Sequence, residues 1–352
     1  MKTSAWLAAM ENLLIPVGAL VLGLMAFGTF MLCVGNNPLE VFHTIYRGGF
    51  GSGFSWRNTL ERAVPLMLTA LCTALPAQLG LIMIGGEGAV VIGGVCAAVA
   101  GLAFGSQPPW LALTAVLTSG LLSGGLWIAL VGWLKHCRGM NETITSLLFN
   151  YIAIALMNHL VTGPLRDPES LNKPSTRPIG SAHMLGDIPG LGVHWGLFYG
   201  VALCLACYLL FRKTTFGFAV RVAGGNLRAA RVVGLPVGWL TVAVCFCAGA
   251  AAGLAGGIEV AAIHGTANAS LAAGYGYAGI LVAFLARQNS LAVIPVSLLL
   301  GGISASAGLL QRTHQLPDAA ILILQSVLFM AILLGETWYG RLPAWHENRR
   351  PE

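Results

Sequence analysis

Long apolar runs divided by short polar breaks set the pattern of this chain. Residues 13–34 hold no charged side chain. At 1.5 Å per residue such a run covers roughly 30 Å, the depth of a hydrocarbon core. It is too long for the apolar stretch of a secretory leader, and no small-residue cleavage pattern precedes the polar GNNP. It therefore predicts a retained first crossing. Residues 36–62 are polar and glycine-rich, with the spacing of a surface helix from Pro38 to Tyr46 at the outer interface. A second crossing is expected over 63–84, interrupted by Pro65 and Pro76, and a third follows the break at Gly85, Gly86, Glu87 and Gly88. Such a break survives at membrane depth only where protein or a water-filled cavity satisfies its backbone.

Further apolar runs predict crossings over 110–134, 143–161, 195–211, 239–263, 277–286, 291–310 and 319–334. The seventh is rich in small residues (AGAAAGLAGG), which allows helices to approach closely. The segments near 85–88 and 277–287 are the ones expected to be broken or re-entrant. The fold class is thus all-α: a polytopic membrane helix bundle of about ten segments, some short or broken. Residues 1–352 form one transmembrane domain, with both termini on the cytoplasmic side of a bacterial cytoplasmic (inner) membrane. A proline-studded loop, 162–194, lies outside, and a basic loop, 212–238, lies inside.

Composition supports that reading. Hydrophobic residues make up 56% of the chain and charged residues 9%, against about 45–50% and about 25% in soluble domains. The net charge of +6 invites a nucleic-acid partner. With the ten-crossing topology, however, twelve of the 19 Lys and Arg fall on the cytoplasmic side and seven outside. That is the bias that orients membrane proteins, and no nucleic acid is implied. Cys204 and Cys207 form a C-x-x-C pair, but the surrounding VALCLACYLL is uninterrupted apolar helix, so they read as small buried hydrophobes.

The chain has no means of burning nucleotide. None of its four lysines follows a glycine, as a phosphate-binding loop requires. The G-x-G-x-x-G of Gly274 to Gly279 follows no strand; it reads as a close-packed, flexible start to the eighth segment. No H-E-x-x-H or G-x-S-x-G occurs. The protein is not expected to be an enzyme or to hold a cofactor, and any ATP is bound by a partner.

The basic loop carries Arg212, Lys213, Arg221, Arg228 and Arg231 without one acid. Asn226 is a good N-cap, and LRAARVVG after it predicts one short helix ending at Gly234, before Pro236. Arg221, Gly225, Asn226, Arg228, Ala230, Arg231 and Gly234 are the candidates for coupling to a separate ATPase. The plainer alternative is a loop that satisfies the charge bias or touches anionic lipid.

Polar groups at membrane depth are costly and tend to face the bundle interior. Glu87, Asn150, Glu259, Tyr275 and Ser304 are the candidates for a translocation pathway. Glu87 also suits a cap on the third crossing through the helix dipole. Asn150 and Ser304 suit hydrogen bonding between helices equally well. Phe149, Tyr151, Tyr275 and Tyr277 suit stacking on a planar base or a sugar, although interface anchoring is the commoner use of tyrosine. A rival class is a stand-alone ion-coupled transporter, which would need a relay of ionisable groups.

Several segments resemble the bacterial ABC permeases of the branched-chain amino acid, simple sugar and nucleoside group. In the basic loop they are Thr215 to Gly217, Arg221 to Asn226, Ala229 to Arg231, and Gly234. GMNETITSLLFNYIA (Gly139 to Ala153), GLAGGIEV (Gly253 to Val260) and GYGYAGILVAFLAR (Gly274 to Arg287) are similar to the nucleoside branch. IMIGGEGAVVIGG departs at two positions: Met83 and Ala89 stand where the family usually has Asn and Gln. The resemblance implies a permease subunit of an importer for a nucleoside or simple sugar, with a branched-chain amino acid or other small solute as alternatives. It also implies a second, homologous or identical permease, two cytoplasmic ATP-binding domains on one or more ATPase subunits, and an external solute-binding protein.

Overall fold

A computed structural model of the protein describes residues 2–170 and 173–337. Its helices, in chain order, are α1 (Lys2–Val34), α2 (Pro38–Phe50), α3 (Gly53–Ala77), α4 (Gly86–Ala103), α5 (Pro109–Arg138), α6 (Glu142–Thr162) and α7 (Gly196–Lys213). They continue as α8 (Thr215–Gly225), α9 (Leu227–Val232), α10 (Val237–Ile258), α11 (Tyr275–Leu285), α12 (Val293–Ala305), α13 (Ala307–His314) and α14 (Ala319–Glu336). Among the described residues, pairing outside helices amounts to two isolated bridges, Ser175 with Asn268 and Asp187 with His194. Among the described residues, eight helical stretches are long and apolar enough to cross a membrane, and α11 and α14 are shorter apolar helices.

The structure differs from the sequence reading in the second crossing, in the break after it and in the basic loop. The break lies at 78–85 rather than 85–88, since α3 stops at Ala77 and Gly86, Glu87 and Gly88 already belong to the first turn of α4. The second crossing begins at Gly53 rather than at Ala63. Its first turns, with Arg57, Glu61 and Arg62, are helical but polar, so a hydropathy window starts too late. The basic loop holds two helices, not one. Thr214 accepts from the Gly217 N–H at 3.3 Å and caps α8, whose Gly217, Val220 and Ala223 are buried at helical spacing. The expected second helix is α9.

The chain divides into two compact units, Met1–Trp56 with Gly302–Glu352, and Arg57–Gly301. In the first unit, α2 starts on an Asn37 cap followed by Pro38 and buries Val41, Ile45 and Gly49 one turn apart. Gly48 leaves room for the Ser306 backbone, which an added Cβ would meet at 2.9 Å. Thr44 Oγ1 and His314 Nε2 lie 3.0 Å apart between α2 and α13. The Gln325 side chain of α14 donates to Ser304 Oγ of α12 at 2.9 Å.

The core of the second unit is α4, α5 and α10, meeting almost backbone to backbone. Cβ atoms added at Gly93, Gly253 or Gly256 would lie well inside the 3.0 Å that real Cβ atoms keep from the Gly253, Gly120 and Val90 carbonyls respectively. Glycine is required here by clearance, the usual device of membrane interfaces where burial itself gives no preference between helix and lipid. α10 ends in a π-helical turn, Glu259–His264, closed by Gly265 at φ 65°. The described part of the 162–194 loop is tied to this end. Thr176 N–H donates to Ala267 O at 3.0 Å, Ile179 N–H to Gly265 O at 2.9 Å and Leu185 N–H to Ala261 O at 2.7 Å. At the start of α7, the buried His194 accepts from the Gly196 N–H at 3.1 Å, and burial pushes its imidazole below the ordinary range. Cys204 and Cys207 are buried free thiols in α7, as read from the sequence.

Candidate functional site: a broken crossing beside a basic loop

Between α3 and α4 the backbone is non-helical from Gln78 to Gly85. Its amides cannot be left bare at membrane depth, and one face of α6 serves them. Thr143 Oγ1 donates to Ile82 O at 2.9 Å, and Ser146 Oγ accepts from Ile84 N–H at 3.1 Å. Asn150 donates to Ile84 O and accepts from Gly88 N–H, both at 2.7 Å. Positions 143, 146 and 150 lie on one helical stripe, so α6 acts as a surrogate strand for the break. The T-x-x-S-x-x-x-N spacing was legible in the sequence, yet only Asn150 was singled out; Thr143 and Ser146 were missed. Asn141 caps α6, accepting from Thr143 and Ile144 N–H, and Lys135 forms an ion pair with Glu142.

Glu87 sits in the first turn of α4 and is almost wholly buried. Its carboxylate does not cap α4. One oxygen accepts from Gly274 N–H at 2.7 Å and the other from Gly276 N–H at 2.6 Å. Glu87 thus caps α11, whose unsatisfied amides and dipole favour an anion. The glycines of the G-x-G-x-x-G motif are explained by this contact. Gly274 has φ 85°, a Cβ on Gly276 would run into the Glu87 backbone, and one on Gly279 would meet Thr69. Thr69 Oγ1 in turn donates to Tyr275 O at 2.9 Å.

Glu259, at the head of the π turn, is also buried. One of its oxygens has no hydrogen-bond partner among the described residues, and the other lies 3.5 Å from His264 Nε2. Tyr275 is half-buried and within electrostatic reach of Glu259, Glu87 and Arg62. Ser304 belongs to the other unit and is engaged by Gln325. Met83, in the break, and Ala89, in α4, are both buried.

The basic loop lies against the same break. Gly224 of α8 abuts the Gln78 carbonyl so closely that a Cβ has no room. Arg221 of α8 donates to the Phe211 carbonyl at the end of α7. Asn226 accepts from Arg228 N–H at 2.9 Å and Ala229 N–H at 3.1 Å, capping α9. Gly234, at φ 83°, ends the segment, with Leu235 N–H returning to Ala230 O at 3.0 Å. Ala230 is fully buried and anchors the turn. Arg228, Arg231 and Gly225 are exposed, and Val232 and Val233 are 88% and 76% exposed.

Comparison with known proteins identifies this arrangement. Residues 56–335 match the family described as branched-chain amino acid transport system / permease component, and the chain belongs to that family. It is 29% identical over 343 residues to the glucose ABC transporter permease protein of Haloferax volcanii, covering 94% of this chain and 89% of that protein. It is 27% identical to the guanosine ABC transporter permease protein of Bacillus subtilis, covering 92% and 93%. It is 24% identical to the nucleoside ABC transporter permease protein of Lactococcus lactis, covering 91% and 90%. The chain is a permease subunit of an ABC importer for a small polar solute, a multi-pass protein of the cytoplasmic membrane and a transport component rather than an enzyme.

Proposed function

We propose that the chain forms one half of a translocation pathway for a nucleoside or simple sugar, and that α9 is the element a partner ATPase grips. In this reading ten segments cross the membrane, α11 and α14 included, both termini are cytoplasmic, and residues 212–238 face the cytoplasm. A second permease completes the pathway, an external binding protein delivers solute to the side of the 162–194 loop, and ATP stays on the ATPase. The nucleoside or sugar assignment is supported by the names of the relatives, guanosine and nucleoside permeases beside a glucose permease.

The observation that carries the coupling role is the capped, anchored α9, which offers Arg228, Arg231, Val232 and Val233 to solvent. Two valines so exposed on an ordered turn suit an apolar groove, and two guanidinium groups beside them suit acids at its rim. The close contact of Gly224 with Gln78 connects this region to the broken crossing, so a push on α8 and α9 reaches the membrane segment through backbone. Arg228→Glu with Arg231→Glu is expected to reduce ATPase co-purification and solute-stimulated ATP hydrolysis about tenfold or more, with membrane insertion unchanged. Wild-type assembly and transport in that double variant would remove the coupling role.

For the pathway, Glu259 is the leading candidate, because a buried carboxylate with an oxygen unpartnered among the described residues can accept from a hydroxyl or N–H of the solute. Glu259→Gln keeps the shape and loses an acceptor. Uptake is expected to fall about tenfold at equal expression, in line with a buried, charge-assisted hydrogen bond. Unchanged uptake excludes Glu259 from the site. Asn150 and Glu87, by contrast, are supported as structural ties by the bonds they already make.

A further inference from the structure

A cavity of about 290 Å³ opens between the end of α7, α8 and the turn after α11. Arg212, Arg221 and Arg287 line it together with the amide side chains of Gln78, Gln288 and Asn289, and among the described residues no aspartate or glutamate does. Arg212 and Arg221 both belong to the basic stretch 212–238, and Arg287 comes from the distant turn after α11, so the fold brings the third arginine to the other two. We propose that this cavity is a binding site for a phosphate-bearing anion, either the headgroup of an acidic phospholipid or a free phosphate ester. It rests on the reading above only for its cytoplasmic placement.

The geometry is specific in two respects. Arg221 is tethered at the cavity wall by its bond from one terminal nitrogen to the Phe211 carbonyl, which leaves its other N–H groups to a ligand. Arg287 and Gln288 have φ of 49° and 59°, the left-handed region where glycine is the unstrained choice. Their turn is held by Arg287 N–H to Phe284 O at 2.9 Å and Gln288 N–H to Ala283 O at 2.8 Å. A glycine would serve the turn more easily. Long side chains kept at a conformational cost, and lining the cavity, indicate that the side chains themselves are used.

Guanidinium forks match the oxygens of phosphate in pairs, and three of them around one volume suit a tetrahedral, multi-oxygen anion better than a single carboxylate. The simpler role of Arg212 in the last turn of α7 is to offset the helix dipole. Lysine would do that equally well, whereas it lacks the paired donors, so the Arg→Lys variant separates the two roles.

Native mass spectrometry of the purified full-length protein tests the proposal, since the folded species is what retains adducts. Phosphatidylglycerol, phosphatidylcholine and inorganic phosphate are added separately. The wild type is expected to hold phosphatidylglycerol, inorganic phosphate or both with a preference over phosphatidylcholine. Arg212→Gln with Arg287→Gln is expected to weaken that preference about fivefold per arginine, the attraction of one cation to an anionic surface. Arg212→Lys with Arg287→Lys is expected to restore it only in part. Arginine-dependent retention of phosphatidylglycerol assigns the headgroup, and retention of inorganic phosphate alone assigns a free ester. No preference in the wild type, or one unchanged in the Gln variant, overturns the site. Loss of ATPase co-purification in the Gln variant with anion binding intact also overturns it, because the cavity would then be a protein contact. Labelling of Gly225→Cys with an impermeant thiol reagent reports the side of the membrane independently, so failure of the topology is told apart from failure of the site.

Discussion

Replacing Gly256 by leucine is expected to abolish the assembled membrane protein. A Cβ at this position would sit against the Val90 carbonyl of α4, with the Gly94 amide nitrogen 2.7 Å away. Overpacking a core costs about 1–3 kcal/mol when side chains can yield. Here the obstacle is backbone, and α10 cannot move away without also opening its contact with Gly120 and Gly124 of α5 through Gly253. The cost therefore passes the upper end of that range and consumes most of a net stability of roughly 5–15 kcal/mol. Expression, monodispersity and thermal unfolding in detergent check it, against Gly308→Ala in α13. Among the described residues nothing lies within 4 Å of a Cβ at Gly308, so that variant should change stability by no more than about 0.5 kcal/mol, if not raise it. A leucine variant that melts with the wild type contradicts the close-packed core.

Glu87→Ala is expected to be the most damaging loss of a single polar group. It strands the Gly274 and Gly276 N–H groups at the head of α11. An unsatisfied buried donor costs about 1–3 kcal/mol, and more where its partner was charged, so two of them amount to roughly 2–6 kcal/mol. Glu87→Gln retains one acceptor oxygen and sets an NH2 against the other amide, so it should lose about half as much. Thermal unfolding of both variants reads the difference. The order wild type, Gln, Ala is the signature of a cap. A Gln variant as stable as the wild type with uptake lost would instead move Glu87 from the scaffold to the solute pathway.

The crossings were legible because lipid imposes a length and an apolar composition on each helix, and that pressure acts locally. The α9 segment was legible for the same reason, since Asn226, Gly234 and Pro236 act within a few residues of the turns they shape. α8 escaped because it is eleven residues long, carries three glycines and follows α7 after a single residue, so its mostly apolar TFGFAVRVAGG reads as part of the loop. The partner of Glu87 escaped more fundamentally. A carboxylate at the start of one helix suggests a cap for that helix, and only the fold brings the amides of residues 274 and 276 to it. The arginine cavity is in part of the same kind: Arg212 and Arg221 share the basic loop, but nothing in the sequence near Arg287 shows that it joins them.

The stripe of Thr143, Ser146 and Asn150 sets a limit on how this permease can move. Four bonds join α6 to Ile82 and Ile84 of the discontinuity and to Gly88 at the head of α4, and they are spaced so that a slide of one helical turn would sever them all at once. With no water in the bilayer interior to replace them, α6, the discontinuity and the head of α4 must travel as a single block during transport. The hinges of alternating access therefore lie beyond its edges.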